Sequence, residues 1–274
     1  DAKLRLDWPS GGQGELETLG ADSVGTSELE NSYGLQLPPS IYPIFGNALR
    51  AHQGLSLDAH RKVMGAMMSD FTRVAAGNPH AWFPVEREAD DITSATASNR
   101  MVAFPYTKYL NAILETDQGA AVLVISAAEA RRRGIPEDRW VYWRGGANKN
   151  EDVWFFSQRP RLYASEGMRG SAQGALRAAG LGLEDVNHFD FYSCFPSAVE
   201  VACEMMGLAP DDPRGFTVTG GLPYAGGPGN NYTLHSMAAM VDRLRAPAAS
   251  ESEVGLVTGN GWYLTKHSAT VLSR

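Results

Sequence analysis

Tyr192, Ser193 and Cys194 stand in a row between a strand signal, His188-Phe189-Asp190-Phe191, and a helix signal that opens at Pro196. A phenol and a thiol at the end of a strand are suited to proton transfer at a bound substrate. In α/β sheets ligands gather at the C-terminal ends of strands. The N-terminus of the next helix can also lower a thiol pKa and attract anions. Tyr192 and Cys194 are therefore candidate catalytic residues. The competing reading of Cys194 is a buried cysteine acting as a small apolar side chain.

A second group runs from Thr219 to Asn231 and contains Gly220, Gly221, Gly226, Gly227 and Pro228. Glycines at this density let backbone approach a ligand closely. Exposed N–H groups ahead of a helix could polarise a carbonyl or hold a phosphate. No Gly-Lys-Ser/Thr follows, so this is not a P-loop, and no strand immediately precedes it as a dinucleotide fingerprint requires. A flexible surface loop is the alternative. A third group, Thr258-Gly259-Asn260-Gly261, follows an apolar strand and would bring Asn260 to the same sheet end; Asn-Gly is equally a hairpin turn. His235, on the helix after the glycine loop, is a candidate base, or else a solvated histidine.

The elements around these residues alternate. Ser56 caps a helical pattern within residues 41–76, with Val63, Met67, Phe71 and Val74 at helical spacing, and Gly77-Asn78-Pro79 stops it. Ala120-Ala121-Val122-Leu123-Val124-Ile125 reads as a strand buried on both faces. Further strands are expected at Arg139–Trp143, His188–Tyr192, Val254–Thr258 and His267–Leu272. Helices are expected at residues 126–133, 162–180, 196–206 and 230–245. This order implies a mainly parallel sheet with an antiparallel edge. Residues 1–40, with Pro9-Ser10-Gly11-Gly12 and Pro38-Pro39, read as irregular.

The chain carries a net charge of −7 and no basic run, which argues against general nucleic-acid or anionic-membrane binding. No stretch approaches the roughly 20 apolar residues of a membrane span. The first residues lack a signal-peptide core and an initiator Met, so a processed or truncated piece is expected. Cys194 and Cys203 are too far apart along one helix to pair, and two free thiols suggest the cytoplasm. No Cys/His spacing resembles a zinc site, so no metal is expected.

Taken together, the three groups resemble the thiolase superfamily, and within it the sterol-carrier-protein-type, thiolase-like (acetyl-CoA acetyltransferase-like) branch. In that branch a strand ends in His-Asp-Cys-Phe, where this chain has Tyr192-Ser193-Cys194-Phe195. A Gly-Gly segment then leads to Gly-His-Pro, where this chain has Gly220-Gly221 and later Gly226-Gly227-Pro228. Pro105-Tyr106-Thr107-Lys108 and Asp117-Gln118-Gly119-Ala120-Ala121 resemble the family's entrance to its C-terminal half.

The resemblance implies a leading segment and mainly helical loop domain over residues 1–97, and a C-terminal thiolase-like domain over residues 98–274. The latter would be an α/β half with a five-stranded mixed sheet (βαβαβαββ) flanked by helices. It further implies acyl-CoA as substrate, a role in lipid metabolism, a homodimer, and an N-terminal half absent from this chain. Gly227 replaces the Gly-His-Pro histidine and Tyr192 the His-Asp-Cys-Phe histidine. The expected activity is that of an acyltransferase acting on carbon–carbon bonds next to a thioester, with altered catalytic residues. The alternatives are a degenerate acyl-CoA-binding protein and an aldolase of lipid or steroid CoA thioesters.

Overall fold

The structure is a computed structural model and describes residues 14, 15, 17, 23–246, 249, 250 and 252–274. Helices α1 (Glu28–Ser32), α2 (Pro38–His52), α3 (Leu57–Gly77) and α4 (Ala89–Thr93) come first. Two short antiparallel strands follow, β1 (Met101–Ala103) and β2 (Tyr106–Thr107). Then come α5 (Ala127–Arg132), β3 (Tyr142–Asn150), α6 (Glu166–Ala179), β4 (His188–Asp190), α7 (Pro196–Met206), α8 (Tyr232–Leu244), β5 (Val254–Gly261) and β6 (Lys266–Ser273).

Local signals explain most boundaries. The Ser56 hydroxyl accepts from the Ala59 amide at 3.1 Å and opens α3, satisfying a donor that has no partner within the helix. Ser126 does the same for α5. Gly180 and Gly207 close α6 and α7 with φ near +70°, a conformation that costs other residues about 1 kcal/mol. Pro38 and Pro39, expected to break structure, instead start α2. At the first helical positions proline's fixed φ is already helical and its missing N–H is not needed. The apolar side chains α3 buries are Met64, Met67, Met68, Phe71 and Ala75, a stripe rotated slightly from the expected one.

The main sheet has the order β3-β6-β5-β4. β6 runs antiparallel to both neighbours, and β4 pairs parallel with β5. The mixed α/β class is as expected, with two corrections. The antiparallel strand lies inside the sheet and not at its edge, because β6 turns back from β5 and is then covered by β3. The sheet also holds four strands, not five, because residues 120–125 pair with no strand among the described residues.

The larger apolar cluster runs from α2 and α3 through α7 to β5 and β6. Residues 196–203 of α7 are all buried, and the one carboxylate among them, Glu200, is paired with the His60 ring at 2.8 Å. Each fully buried side chain such as Phe45 or Met68 contributes about 1.5–3 kcal/mol by leaving water. That packing clamps α2 onto α7 and makes the next site possible.

Candidate functional site

Because β4 and β5 are parallel, with Asp190 level with Val257, the residues after β4 and the last residues of β5 emerge at one end of the sheet. The Tyr192 amide donates to the Thr258 hydroxyl at 3.0 Å. Helix α2 brings Tyr42 to the same place, its ring stacked on Phe195 at 4.5 Å between centroids. The Asn260 side-chain amide donates to the Tyr42 hydroxyl at 2.9 Å. That hydroxyl donates to the Trp262 carbonyl at 2.8 Å and lies within hydrogen-bonding reach of the Cys194 thiol. A phenol has one proton and two acceptor positions. With its proton on Trp262, Tyr42 accepts from Asn260 and keeps one acceptor position free.

Burial pushes the Cys194 thiol up to about 12, against the weaker opposing effects of Tyr42 and nearby backbone. The half-buried Tyr192 phenol is also raised, first by burial and then by Cys194. Both groups therefore keep their protons at neutral pH. The expectation that the helix terminus lowers the thiol pKa is overturned, because desolvation outweighs it here. The pair can donate protons and hydrogen bonds. The Asn260 side-chain oxygen is buried without a partner, an acceptor available to a bound group.

The glycine loop is tied to the same strand end by Asp190, which is fully buried. One carboxylate oxygen of Asp190 accepts from the Thr217 hydroxyl, the Val218 amide and both the amide and hydroxyl of Thr219. The other accepts from the Ser236 hydroxyl at 2.6 Å and from Tyr232 at 3.3 Å. Asp190 so holds the loop and α8 to β4. From the other side, the amides of Trp82 and Phe83 donate to the carbonyls of Ala225 and Tyr224.

The loop's own amides are largely committed. Gly220 donates to the Thr217 hydroxyl and Gly221 to the Thr219 hydroxyl. Gly220 has φ +102° and a Cβ there would meet the Ala75 backbone at 2.6 Å, so this glycine serves the close approach of α3. The Gly227 amide donates to the Ile113 carbonyl at 2.8 Å and is not free to polarise a substrate oxygen. Ile113 follows Ala112, whose amide bonds the Cys194 carbonyl at 2.9 Å. The structure thus brings Tyr192, Cys194 and Asn260 together and places residues 112–113 between Cys194 and Gly227.

His235 lies elsewhere. It lines a cleft of about 930 Å³ with Gly226, Tyr232, Gln118, His80 and Arg73, a lining that includes neither Cys194 nor Asn260. Its ring approaches the Asn231 amide at 3.3 Å. Burial, then the nearby His80, lowers its pKa. Pro228 borders the same loop and precedes a 3₁₀ turn at Gly229–Asn231. Two site residues escaped the sequence reading, Tyr42 and Asp190. Tyr42 carries no motif. Asp190 had a signal, because an acid between Phe189 and Phe191 in a strand, when buried, needs hydrogen-bond donors. Among the described residues no cluster of three His, Cys, Asp or Glu side chains is present, and no helix is long and apolar enough to cross a membrane.

No family model and no curated protein matches the chain. Solved structures do. A monomeric SCP2-thiolase-like protein type 1 from Mycobacterium smegmatis is 38% identical, with a TM-score of 0.79 over 91% of this chain and 54% of its own. The chain therefore spans about half the length of that protein. An Ltp2-ChsH2(DUF35) aldolase is 18% identical, with a TM-score of 0.69 over 95% of this chain and 69% of its own. The mixed sheet and helices described above match the SCP2-thiolase-like fold.

Proposed function

We propose that the chain is the loop domain and C-terminal half of a thiolase-like protein that binds an acyl-CoA thioester and makes or breaks a carbon–carbon bond beside the thioester carbonyl. The observation that carries this reading is the convergence of Tyr192, Cys194 and Asn260 at the ends of parallel β4 and β5. Such chemistry passes through an enolate and needs a proton donor and a hydrogen-bonding pocket. Tyr192 and Cys194, both protonated at neutral pH, supply protons. Asn260, oriented by Tyr42, supplies a fixed polar contact. Gly227 in place of a histidine leaves no activating base there, so a nucleophilic cysteine would have to be activated by another group. His235 lies outside this constellation and is no longer favoured as the substitute base.

A second reading is an aldolase acting on lipid or steroid CoA thioesters. The neutral phenol of Tyr192 favours it, because carbon–carbon cleavage by retro-aldol chemistry needs a proton carrier and no thiolate. The two share the thioester pocket. Incubating the protein with a panel of acyl-CoA and β-hydroxyacyl-CoA thioesters, with mass spectrometry of products, separates them. Acyl exchange identifies the first and aldehyde or ketone release the second. Tight binding without turnover identifies a binding protein, and absence of any coenzyme A binding sinks the thioester reading.

A further inference from the structure

The turn that joins β5 to β6 holds two residues in an uncommon conformation. Trp262 and Leu264 have φ of +53° and +51°, the left-handed region that side chains other than those of asparagine, aspartate or histidine seldom enter. Such a conformation persists only where the surroundings fix it, and it gathers at functional sites. The Trp262 carbonyl accepts from the Tyr42 hydroxyl at 2.8 Å. That hydroxyl accepts from the Asn260 side-chain amide at 2.9 Å. The course of the turn therefore sets where Asn260 presents its unpartnered oxygen.

Against this turn lies Arg159, which is buried. All five of its N–H groups are used. Nε donates to the Val153 carbonyl at 3.0 Å. One terminal nitrogen donates to the carbonyls of Tyr263 and Leu264 at 3.0 and 2.8 Å. The other donates to the Trp154 carbonyl and the Thr265 hydroxyl, both at 2.9 Å. The five bonds go to backbone and one hydroxyl, and they join residues 153–154 to residues 263–265. The root of Arg159 is fixed as well. It closes a 3₁₀ turn, Phe156–Gln158, whose Phe156 ring meets Tyr263 and Phe45 edge-on at 6.1 and 5.9 Å between centroids.

We propose that Arg159 is a positioning residue of the candidate site: its planar fork holds residues 262–265 in their left-handed course and, through the Trp262 carbonyl and the Tyr42 hydroxyl, aims Asn260. Lysine is no substitute, because three donors on a single nitrogen cannot grip both segments at once. The proposal rests on the thioester reading for what Asn260 contacts. The orientation of Asn260 itself does not depend on that reading.

Nitrogen-15 NMR of the full chain reads the orientation of Asn260 without any ligand. Asn260→Ala identifies its side-chain amide signal by loss. In the parent that amide is expected to exchange with water at least about 10-fold more slowly than exposed asparagine amides, because Tyr42 holds it. Arg159→Lys is expected to shift the signal and remove the protection. Thr265→Val takes away one of the five acceptors; it is expected to do so in part, and it decides the matter where Arg159→Lys fails to fold. An unmoved Asn260 signal in a folded variant overturns the proposal. Turnover of acyl-CoA thioesters then separates positioning from stability alone. In Arg159→Lys, kcat is expected to fall roughly 10- to 100-fold with KM little changed, as in Asn260→Ala, and to fall no further in the double variant. A moved amide signal with kcat intact also overturns the proposal. A parent that neither binds nor converts a thioester sinks the acyl-CoA reading alone, and the amide signal still decides what Arg159 does.

Discussion

Asn260 and Tyr42 are 218 residues apart and share one hydrogen bond of 2.9 Å, from the asparagine amide to the phenol. The phenol is buried by its stack on Phe195, so neither partner can be replaced by water without rearrangement. Tyr42→Phe strands the Asn260 amide and frees the Trp262 carbonyl. It is expected to cost about 1–3 kcal/mol, measured by urea unfolding. A double-mutant cycle with Asn260→Ala should return a coupling of about 0.5–3 kcal/mol; strict additivity would show that the two residues act separately.

Asp190 holds the glycine loop and α8 with two oxygens and, among the described residues, no paired cation. Asp190→Asn replaces one acceptor oxygen by a donor that faces the donors of Thr217, Val218 and Thr219 or of Ser236 and Tyr232. A loss of roughly 3 kcal/mol is expected, comparable to breaking a buried charged network. Chemical denaturation reads it directly. Proteolysis confined to residues 217–229 at unchanged global stability would instead show that the loop is anchored by Trp82 and Phe83.

Gly220→Ala is expected to be worse tolerated than any exposed glycine change. The new methyl meets both a φ of +102° and the Ala75 backbone. Strain and overpacking together should cost about 2–5 kcal/mol. Gly54→Ala, at an open turn with φ +68°, carries only the conformational penalty, about 1 kcal/mol. Equal melting temperatures for the two variants would contradict the packing described for α3 and the loop.

Both thiols should be silent in the native protein. Burial raises Cys194 to about 12 and raises Cys203 as well, with the charge of Glu200 adding to the latter. Neither is a thiolate near pH 7.5, and the thiolate is the reactive form. Titration with a disulfide reagent should show no fast-reacting thiol until denaturant is added, and then two. Rapid native labelling of Cys194 would mean that the thiol is accessible and acidic, and would contradict its part as a proton donor.

His267 gives the fold an acid sensitivity. Its ring lies 3.1 Å from the Ser165 hydroxyl in a site that excludes water. Burial, aided by the charge of Arg159, lowers its pKa to about 4 although a backbone hydrogen bond opposes the shift. Between that value and the unfolded value near 6.5 the unfolded chain binds more protons. Stability is therefore full above about pH 6.5 and falls as pH drops toward 4, by up to roughly 3 kcal/mol. His267→Gln should flatten that slope in urea titrations between pH 7.5 and 4.5; an unchanged slope would assign it to other groups.

The elements that sequence alone identified are those governed by near neighbours. Ser56, Ser126, Gly180 and Gly207 mark their helix ends because a cap or a left-handed residue acts within one turn. Helix α7 and strand β5 were legible from continuous apolar runs. Within the candidate site, the convergence of Tyr192, Cys194 and Asn260 was legible because each lies toward the end of a strand, and ligands collect at that end of parallel strands.

What the amino-acid order determined, then, was which residues carry usable chemistry and where each helix starts and stops. Only the tertiary structure decided their partners and protonation. Tyr42 meets Asn260 because α2 packs on α7. Cys194 keeps its proton because that same packing removes water around it. The amides of Gly220, Gly221 and Gly227 are engaged at home. Burial and long-range contact depend on distant segments arriving together, and no local pattern of residues encodes that arrival.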